Sequence, residues 1–574
     1  MAQLCSWDST GNPSYNYYGT GNVEEVIPGV LRPLSADLIL AESNAWARNM
    51  VDLLGVRDQV DYRPLPYDNI FAIVGGRVAV NILWLGAYVA TYQPEQQSAM
   101  LAQYLRGDDE GMKSGVAANV ARARRLRKKV ERLWAAAPAK AAREVASAER
   151  WRKDALNQRK LARESDQKLI ERIEQTIERC GASYVRHAQT TMGGGEFLGM
   201  LSAFLDEKVP GHPPEWTTTL TSALGDVVST EPVHETWRLA QIARKHRPVA
   251  AAFERGDFDG IRGLVAHPPD AGWTAFATTF EAFIDEYGFR GQAELDPAVP
   301  DWGEDPTFVL SSIRTHLTVP GARDPAKRAA RAARARERLE AQVEKQLRPD
   351  DRPRYRQLLE VTQSLVRARE LTKANLARTT RAYRPPILEL GRRFADRGLL
   401  ARADDIWYLR LDELRPAADG SLNQRSVRTR IARRRDEHAR LEQHELPVVF
   451  SLPVDLIPTG AVEQAGNVLS GQGVSPGVAR GRARVILSAE AGVEATIEDG
   501  EILVAPITDT AWTPLFWPAA GVVVERGGML SHASTVAREL GLPAVVGVAN
   551  ATRLIPDGAT VTVDGAAGTV TIEA

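Results

Sequence analysis

The segment GVVVERGGMLSHASTVARELGLPAVVGV, Gly521 to Val548, leaves the chain few ways to fold. Val522 to Glu525 is a branched run suited to a buried strand, and Gly527 and Gly528 permit the tight, positive-φ turn that must follow it. Ser531 is a good N-cap, so a helix should begin at His532 and run to Leu540. Ala533, Val536, Ala537 and Leu540 then recur at the spacing that packs one helix face onto a sheet. Gly541 is placed to end the helix and Pro543 to prevent its continuation. His532 is therefore expected in the first turn, off the apolar face, held by a rigid strand–turn–helix unit and open to solvent. A neutral imidazole there can attack a phosphoryl group near neutral pH, and the phosphate it acquires would lie among the N–H groups of a helix N-terminus. The spacing alone fits a capping or surface histidine at least as well.

That unit belongs to the second of two regimes. From Leu31 to His444 apolar positions recur every three or four residues among Ala, Arg, Leu and Glu, which reads mostly as helix. After the proline-containing stretch Leu446 to Gly466, short branched runs begin (RGRARVIL, EILVAP, GVVVE, PAVVGV, TVTVDG), punctuated by Gly, Pro and Asp. A chain of 574 residues has room for two or three cores. The expected organisation is multidomain α and α/β, with a large, mostly helical domain over 1–445, a linker over 446–466 and a small β/α domain over 467–574.

Two charged stretches, Asn119 to Cys180 (broken by Pro138) and Arg323 to Leu347, carry alternating signs and read as solvated helix faces. The formal net charge of -1 supplies no positive excess for general phosphate-backbone binding, so a nucleic-acid role is disfavoured. Cys5 and Cys180 have no metal-ligand or redox spacing. The N-terminus has no basic start before an apolar run, and no window nears the length of a membrane span. A reducing, cytoplasmic setting is expected. No histidine has ligand spacing, so no protein-bound metal is expected. Trp46, Trp84, Tyr88 and Trp273 suit an apolar pocket or, by default, the core.

GGMLSHASTVARELGLPAVVG, preceded by LVAPITDTAWTPLF (Leu503 to Phe516) and GQGVSPGVARGRARV (Gly471 to Val485), resembles the swivelling phosphohistidine domain of the phosphoenolpyruvate-utilising enzymes. That group includes pyruvate phosphate dikinase, phosphoenolpyruvate synthase and rifampicin phosphotransferase. The likeness covers almost all of Val468 to Glu573 and implies that His532, in the Gly-Gly-x-x-x-His motif, carries the phosphoryl group. Gly527, Gly528, Ser531, Thr513 and Arg526 are then its phosphate loop, with Thr508 and Asp509 nearby. GNVEEVIPGVLRPLS (Gly21 to Ser35), YGFRGQAELDPAVPDWGEDP (Tyr287 to Pro306), RARELTKAN (Arg367 to Asn375) and LGRRFADRGLLARADDIWYLRLDEL (Leu390 to Leu414) resemble the central acceptor-binding domain of the rifampicin phosphotransferase type. Relatives often have Gly-His-Arg-Gly where this chain has GFRG, so Phe289 removes any proton transfer by that histidine.

On the acceptor side Arg369 and Lys373, at i and i+4 of one expected helix, offer two cations to an incoming phosphohistidine, and Glu370 is the candidate proton acceptor. The trio matches the family's acceptor-side group, although such spacing alone is ordinarily surface charge. Arg290 and Glu294 are weaker candidates for substrate contact, as is His187, beside a glycine run able to kink or end a helix. The glycine clusters GTGN and VGGRV are weak phosphate-binding signals, and neither a P-loop nor an ATP-grasp region is evident near the N-terminus. Nor is a phosphoenolpyruvate-binding barrel expected after Ala574.

The combination also resembles one subunit of the split aryl-phosphate synthases, phenylphosphate synthase and the 4-cresol phosphorylating enzyme. That resemblance implies a separate ATP-grasp subunit holding ATP and Mg2+, passage of the β-phosphate to His532 with release of AMP and phosphate, and a small phenolic acceptor. The alternative class is a phosphohistidine carrier or regulatory protein that passes phosphate to another protein. The large helical domain argues for the first, since a carrier needs only the C-terminal part.

Overall fold

Apolar spacing of three and four residues carries the chain into helices wherever it is sustained, and capping residues end them. The Pro33–Leu54 helix starts with proline in its first turn and stops at Gly55, whose φ is 72°. The computed structural model describes residues 4–20, 23, 26–93, 120–213, 215–225, 227–318, 325–447, 449–458, 466–488, 497–508, 512–528 and 531–573. It divides into two compact units. One comprises Met1–Gly193, Leu295–Ala298 and Thr372–Ala461, the other Gly194–Glu294, Val299–Leu371 and Val462–Ala574.

In the first unit the charged stretch forms the helices Val120–Ala135 and Ala137–Ala155, with Pro138 in the first turn of the second. The Asp166–Lys208 helix follows, 43 residues without a break, its residues up to Gly193 in this unit and the rest in the other. The glycine run, able to kink or end a helix, does not end it. Side-chain-free positions there serve close approach: a Cβ on Gly181 would stand 2.5 Å from the Ala45 Cβ, and one on Gly193 2.8 Å from the Trp134 Cβ.

A small sheet, absent from the helical reading, joins Phe71–Val74, Arg77–Asn81, Tyr18–Gly19 and Val449–Phe450 in antiparallel pairs. The VGGRV cluster is its hairpin turn, with φ of 53° at Gly75 and 69° at Gly76, the paired positive values of a tight two-residue loop. The expected linker is thus part structure. Val449–Phe450 is a strand because Leu446 and Phe450 bury their side chains; Phe450 stacks on Tyr18 at 5.6 Å, and Leu452 exchanges hydrogen bonds of 2.7 and 2.8 Å with the Asn16 side chain. Residues 459–465 lie outside the described residues.

In the second unit the helices Glu231–Lys245, Arg247–Arg255, Phe258–Ala266, Ala271–Tyr287 and Thr307–Thr318 enclose Phe253, Phe276 and Ile313. Pro325–Gln346 and the part of Arg352–Thr380 up to Leu371 complete its helical portion. The C-terminal part is a β/α fold around an eight-stranded sheet. Its order is Val468–Ser470, Thr569–Ile572, Thr560–Asp564, Val478–Val485, Ile502–Ala505, Gly521–Val524, Ala544–Val546, Gln472–Ser475. The four strands from Val478–Val485 to Ala544–Val546 run parallel, and the outer pairings are antiparallel. All the expected branched runs are strands. Because side chains alternate along a strand, Leu503, Ala505, Val522 and Val524 share a continuous apolar cluster with Phe276 and Ile313 of the helices. Ile502, Val504, Val523 and Val545 instead pack with Val561, Val563 and Ala551 in a core belonging to the C-terminal part alone. Among the described residues no helix is long and apolar enough to cross a membrane.

Candidate functional site

The Gly521–Val524 strand delivers the chain to a turn in which Gly527, at φ 152°, leaves room for the Ser531 hydroxyl; a Cβ there would stand 3.0 Å from it. The Ser531 Oγ accepts the Ser534 N–H at 3.3 Å and lies 2.8 Å from the Ser534 hydroxyl, which donates to the Gly528 carbonyl at 2.7 Å. This serine–glycine lattice fixes the start of the His532–Leu540 helix, and Gly541 at φ 63° ends it. His532 is the first helical residue, as the sequence requires.

Its exposure departs from expectation. His532 is 1% exposed rather than open, with Phe516 edge-on at 6.3 Å. Ser534, Thr535 and Glu539, on the helix's polar side, are buried too. The Pro325–Gln346 helix and the Gln472–Ser475 strand, far away in sequence, pack against the His532–Leu540 helix, which an amphipathic pattern does not reveal. Thr508 is buried, its hydroxyl without a hydrogen-bond partner among the described residues. Arg526 is half-buried, and its N–H donates to the Pro506 carbonyl at 3.1 Å. Asp509 lies outside the described residues, as does the side chain of Thr513, which opens the short Thr513–Phe516 helix.

The same unit holds Arg369 and Glu370. Glu370 is 2% exposed, ion-paired with Arg369 and accepting the Ser229 hydroxyl. Arg538, on the His532 helix, donates from Nε to the Ser534 carbonyl at 3.0 Å. Burial, and then the nearby positive charge of Arg369, lower its guanidinium to about 10. Arg369 is therefore within electrostatic reach of the histidine's helix. Arg290 and Glu294 are directed at each other, at 3.2 Å and both buried, with the Arg290 guanidinium 4.8 Å over the Phe289 ring and donating to the Val228 carbonyl at 3.4 Å.

Sequence reasoning missed Ser229, Arg538, Glu539 and the loop before Glu231. The loop's carbonyls at Leu220, Ala223 and Leu224 are taken by Gln363, Arg336 and Arg367, and the Leu224 N–H donates to Glu539 at 3.3 Å. An Arg–Glu pair in a helix carries no signal of burial, and a lone loop serine carries none of its partner.

In the other unit His187 is half-buried, its Nδ1 3.1 Å from the Thr372 hydroxyl, which lies 2.9 Å from that of Thr190. Lys373 is buried beside Thr372 in sequence. The trio thus divides: Arg369 and Glu370 fall in one unit and Lys373 in the other, on one continuous helix. Trp46 stacks on Tyr184 at 5.0 Å and Trp84 on Tyr88 at 6.0 Å, while Trp273 packs against Phe276 in the second unit's core. Of these aromatics Tyr88 lines a cavity, with Met50, Tyr92, Trp134 and Met192, of about 20 Å³, room for one water and not for a ring. Among the described residues no group of three or more His, Cys, Asp or Glu is placed to hold a metal.

Residues 186–370 match the rifampicin phosphotransferase fourth domain, and residues 497–568 the mobile domain of PEP-utilising enzymes. The first range contains Arg369, Glu370, Ser229, Arg290, Glu294 and His187; the second contains His532. The chain is similar to a rifampicin phosphotransferase of a Streptomyces species (31% identity over 71% of this chain and 50% of that protein). It is also similar to the prodigiosin synthesizing transferase PigC of Serratia marcescens (33% over 58% and 38%) and to the rifampicin phosphotransferase of Bacillus subtilis (32% over 50% and 34%). The matched region spans half or less of each of these relatives.

Proposed function

We propose that this chain, which belongs to the PEP-utilising phosphotransferases by its mobile domain and its rifampicin phosphotransferase fourth domain, carries a phosphoryl group on His532 and delivers it to a hydroxyl of a small acceptor. The observation that carries this reading is the helix that begins at His532 behind a serine–glycine turn, in the same unit as the buried Arg369–Glu370 pair. A phosphorylated His532 would place its negative charge at a helix N-terminus, where N–H groups favour it.

In the second half-reaction the acceptor oxygen attacks phosphorus, the P–N bond breaks with its electron pair going to the ring nitrogen, and the imidazole, which carries a proton on its other nitrogen, leaves neutral. Arg369 offsets charge on the phosphoryl oxygens. The acceptor's proton goes to the Glu370 carboxylate. Burial of His532 suits this step, since a phosphoryl–imidazole bond must meet the acceptor before it meets water. Charging requires the opposite exposure. We assign it to a swung-out position of the C-terminal part at a separate ATP-grasp protein that binds ATP and Mg2+, with the β-phosphoryl transferred to the histidine, AMP leaving, and the γ-phosphoryl passing to water as phosphate. The acceptor class we favour is a phenol.

The test uses ATP labelled at the β-phosphate, the ATP-grasp partner and this chain, with 4-cresol added in a second step. Label should appear on this chain, be labile in acid and stable in alkali, vanish with His532→Ala and leave with the acceptor. Label that survives His532→Ala, or that resists acid as an ester does, sinks the proposal.

A further inference from the structure

Glu539 is poorly placed for an ordinary surface carboxylate. It is the penultimate residue of the histidine's helix, where the helix dipole disfavours negative charge, and it is 8% exposed. Both terms penalise the ionised side chain, so its surroundings must hold it.

They do so through one loop. Between the Trp216–Leu220 helix and the Glu231–Lys245 helix the backbone is irregular, with Ala223 at φ 47° and Gly225 at φ 66°. Side chains from other elements satisfy its polar groups one after another. Gln363 donates to the Leu220 carbonyl at 2.9 Å, Arg336 to the Ala223 carbonyl and Arg367 to the Leu224 carbonyl at 2.9 Å. Those three belong to the helical portion. The fourth anchor, the Glu539 carboxylate accepting the Leu224 N–H, comes from the histidine-bearing part. Five residues further on, Ser229 of the same loop donates to Glu370. One loop therefore touches both the helix that starts at His532 and the carboxylate assigned to the acceptor's proton.

We propose that Glu539 is a positioning residue that docks the histidine-bearing part: by accepting the Leu224 N–H it sets the His532 helix against the loop whose Ser229 holds Glu370. The proposal rests on the function given above only for its purpose; the contact itself can be measured without phosphoryl transfer.

The contact is also linked to protons. Burial holds the Glu539 carboxyl up at about 7, against 4.5 ordinarily, and the loop N–H and the charges of Arg538 and Arg336 oppose that rise. The charged or titratable groups on the elements packed around it are His532 and Arg538 on its own helix, Arg336, Glu337 and Glu340 on Pro325–Gln346, and Arg367, Arg369 and Glu370 on Arg352–Thr380. The Gln472–Ser475, Gly521–Val524 and Ala544–Val546 strands contribute none. An undocked Glu539 has an ordinary carboxyl, so the docked form binds the proton more tightly, and docking weakens as pH rises from 4.5 to 7, then levels.

The experiment is amide hydrogen exchange of the 221–230 segment in the full chain from pH 5 to pH 8, corrected for intrinsic rates. In the wild type, the opening of the Leu224 amide should increase on the order of fiftyfold across that range. Glu539→Gln keeps an oxygen for the Leu224 N–H and has no proton to lose, so it should remain protected and flat with pH. Glu539→Ala should lose the protection throughout. An Ala variant as protected as the wild type, or a Gln variant that keeps the wild-type slope, overturns the proposal; if the Ala variant does not fold, the Gln comparison decides. A chain with these profiles whose His532 never takes label keeps its docking residue and loses the phosphotransfer reading.

Discussion

Replacing Glu42 with glutamine should make the first unit more stable in base while leaving it unchanged in acid. Glu42, on the Pro33–Leu54 helix, is 1% exposed and accepts the hydroxyls of Tyr184 at 3.4 Å and Tyr383 at 3.2 Å, with the Cys180 thiol beside it. Burial pushes its carboxyl up to about 8 from the ordinary 4.5, and the hydrogen bonds only partly oppose this. The folded form thus holds the proton more tightly than the unfolded form. The stability this contributes is complete below pH 4.5 and is lost as pH rises through 8. At about 1.4 kcal/mol per pH unit the full loss is roughly 5 kcal/mol, comparable to the whole stability of a small domain. A glutamine amide stands in for the protonated carboxyl, keeping a carbonyl acceptor and placing an NH2 donor where the O–H was, and cannot ionise. Hydrogen exchange of the Pro33–Leu54 amides at pH 5 and pH 9, in wild type and Glu42→Gln, isolates the effect, because every other titrating group, Asp68 included, cancels in the difference. The two proteins should agree to within about 1 kcal/mol at pH 5 and diverge by several kcal/mol at pH 9, the variant being the more protected. Parallel profiles, or a variant weakened equally at both pH values, would refute the reasoning. The outcome bears on the site, because Tyr184 lies one turn before His187 on the same helix.

Arg369→Ala should still let His532 accumulate label but slow its discharge to 4-cresol about a hundredfold, on the order of 3 kcal/mol; slow charging with normal discharge in single-turnover mixing would place this cation outside the acceptor step. Gly181→Ala drives a Cβ to 2.5 Å from that of Ala45 and should cost about 1–3 kcal/mol by overpacking, read as a lower denaturation midpoint; an unchanged midpoint would show that the helices part freely. The chain alone should neither bind ATP tightly nor consume it, and a mixture with an ATP-grasp partner should yield AMP; tight binding by calorimetry to the isolated chain contradicts that.

What could be read from sequence was what neighbours in sequence decide. The His532–Leu540 helix, its Ser531 cap and its Gly541 stop follow from a dozen consecutive residues, and the branched runs became strands because each needs only its own pattern. Burial of His532 could not be read, since the elements packed on its helix, Pro325–Gln346 among them, carry no mark of their partner. The first unit's sheet was hidden for the same reason: Tyr18–Gly19 and Val449–Phe450 are too short to show a period, and each is a strand only through pairing with segments distant in sequence. The glycine run misled because a glycine that permits close packing and one that breaks a helix are the same residue; Trp134 decides which, and Trp134 is on another helix.

The two faces of the C-terminal sheet lead unequal lives. One closes over Val504, Val523, Val545, Val561 and Val563, residues that all belong to the sheet's own part of the chain; the other faces Phe276 and Ile313, which do not. Dependence between the two portions therefore runs one way. The C-terminal part keeps a private core wherever it goes, whereas the helices lose a wall when it leaves. Re-surfacing the module to seat it on a different neighbour would have to spare Ala533, Val536, Ala537 and Leu540 of the histidine's helix, which lie in the shared cluster and not in the private core.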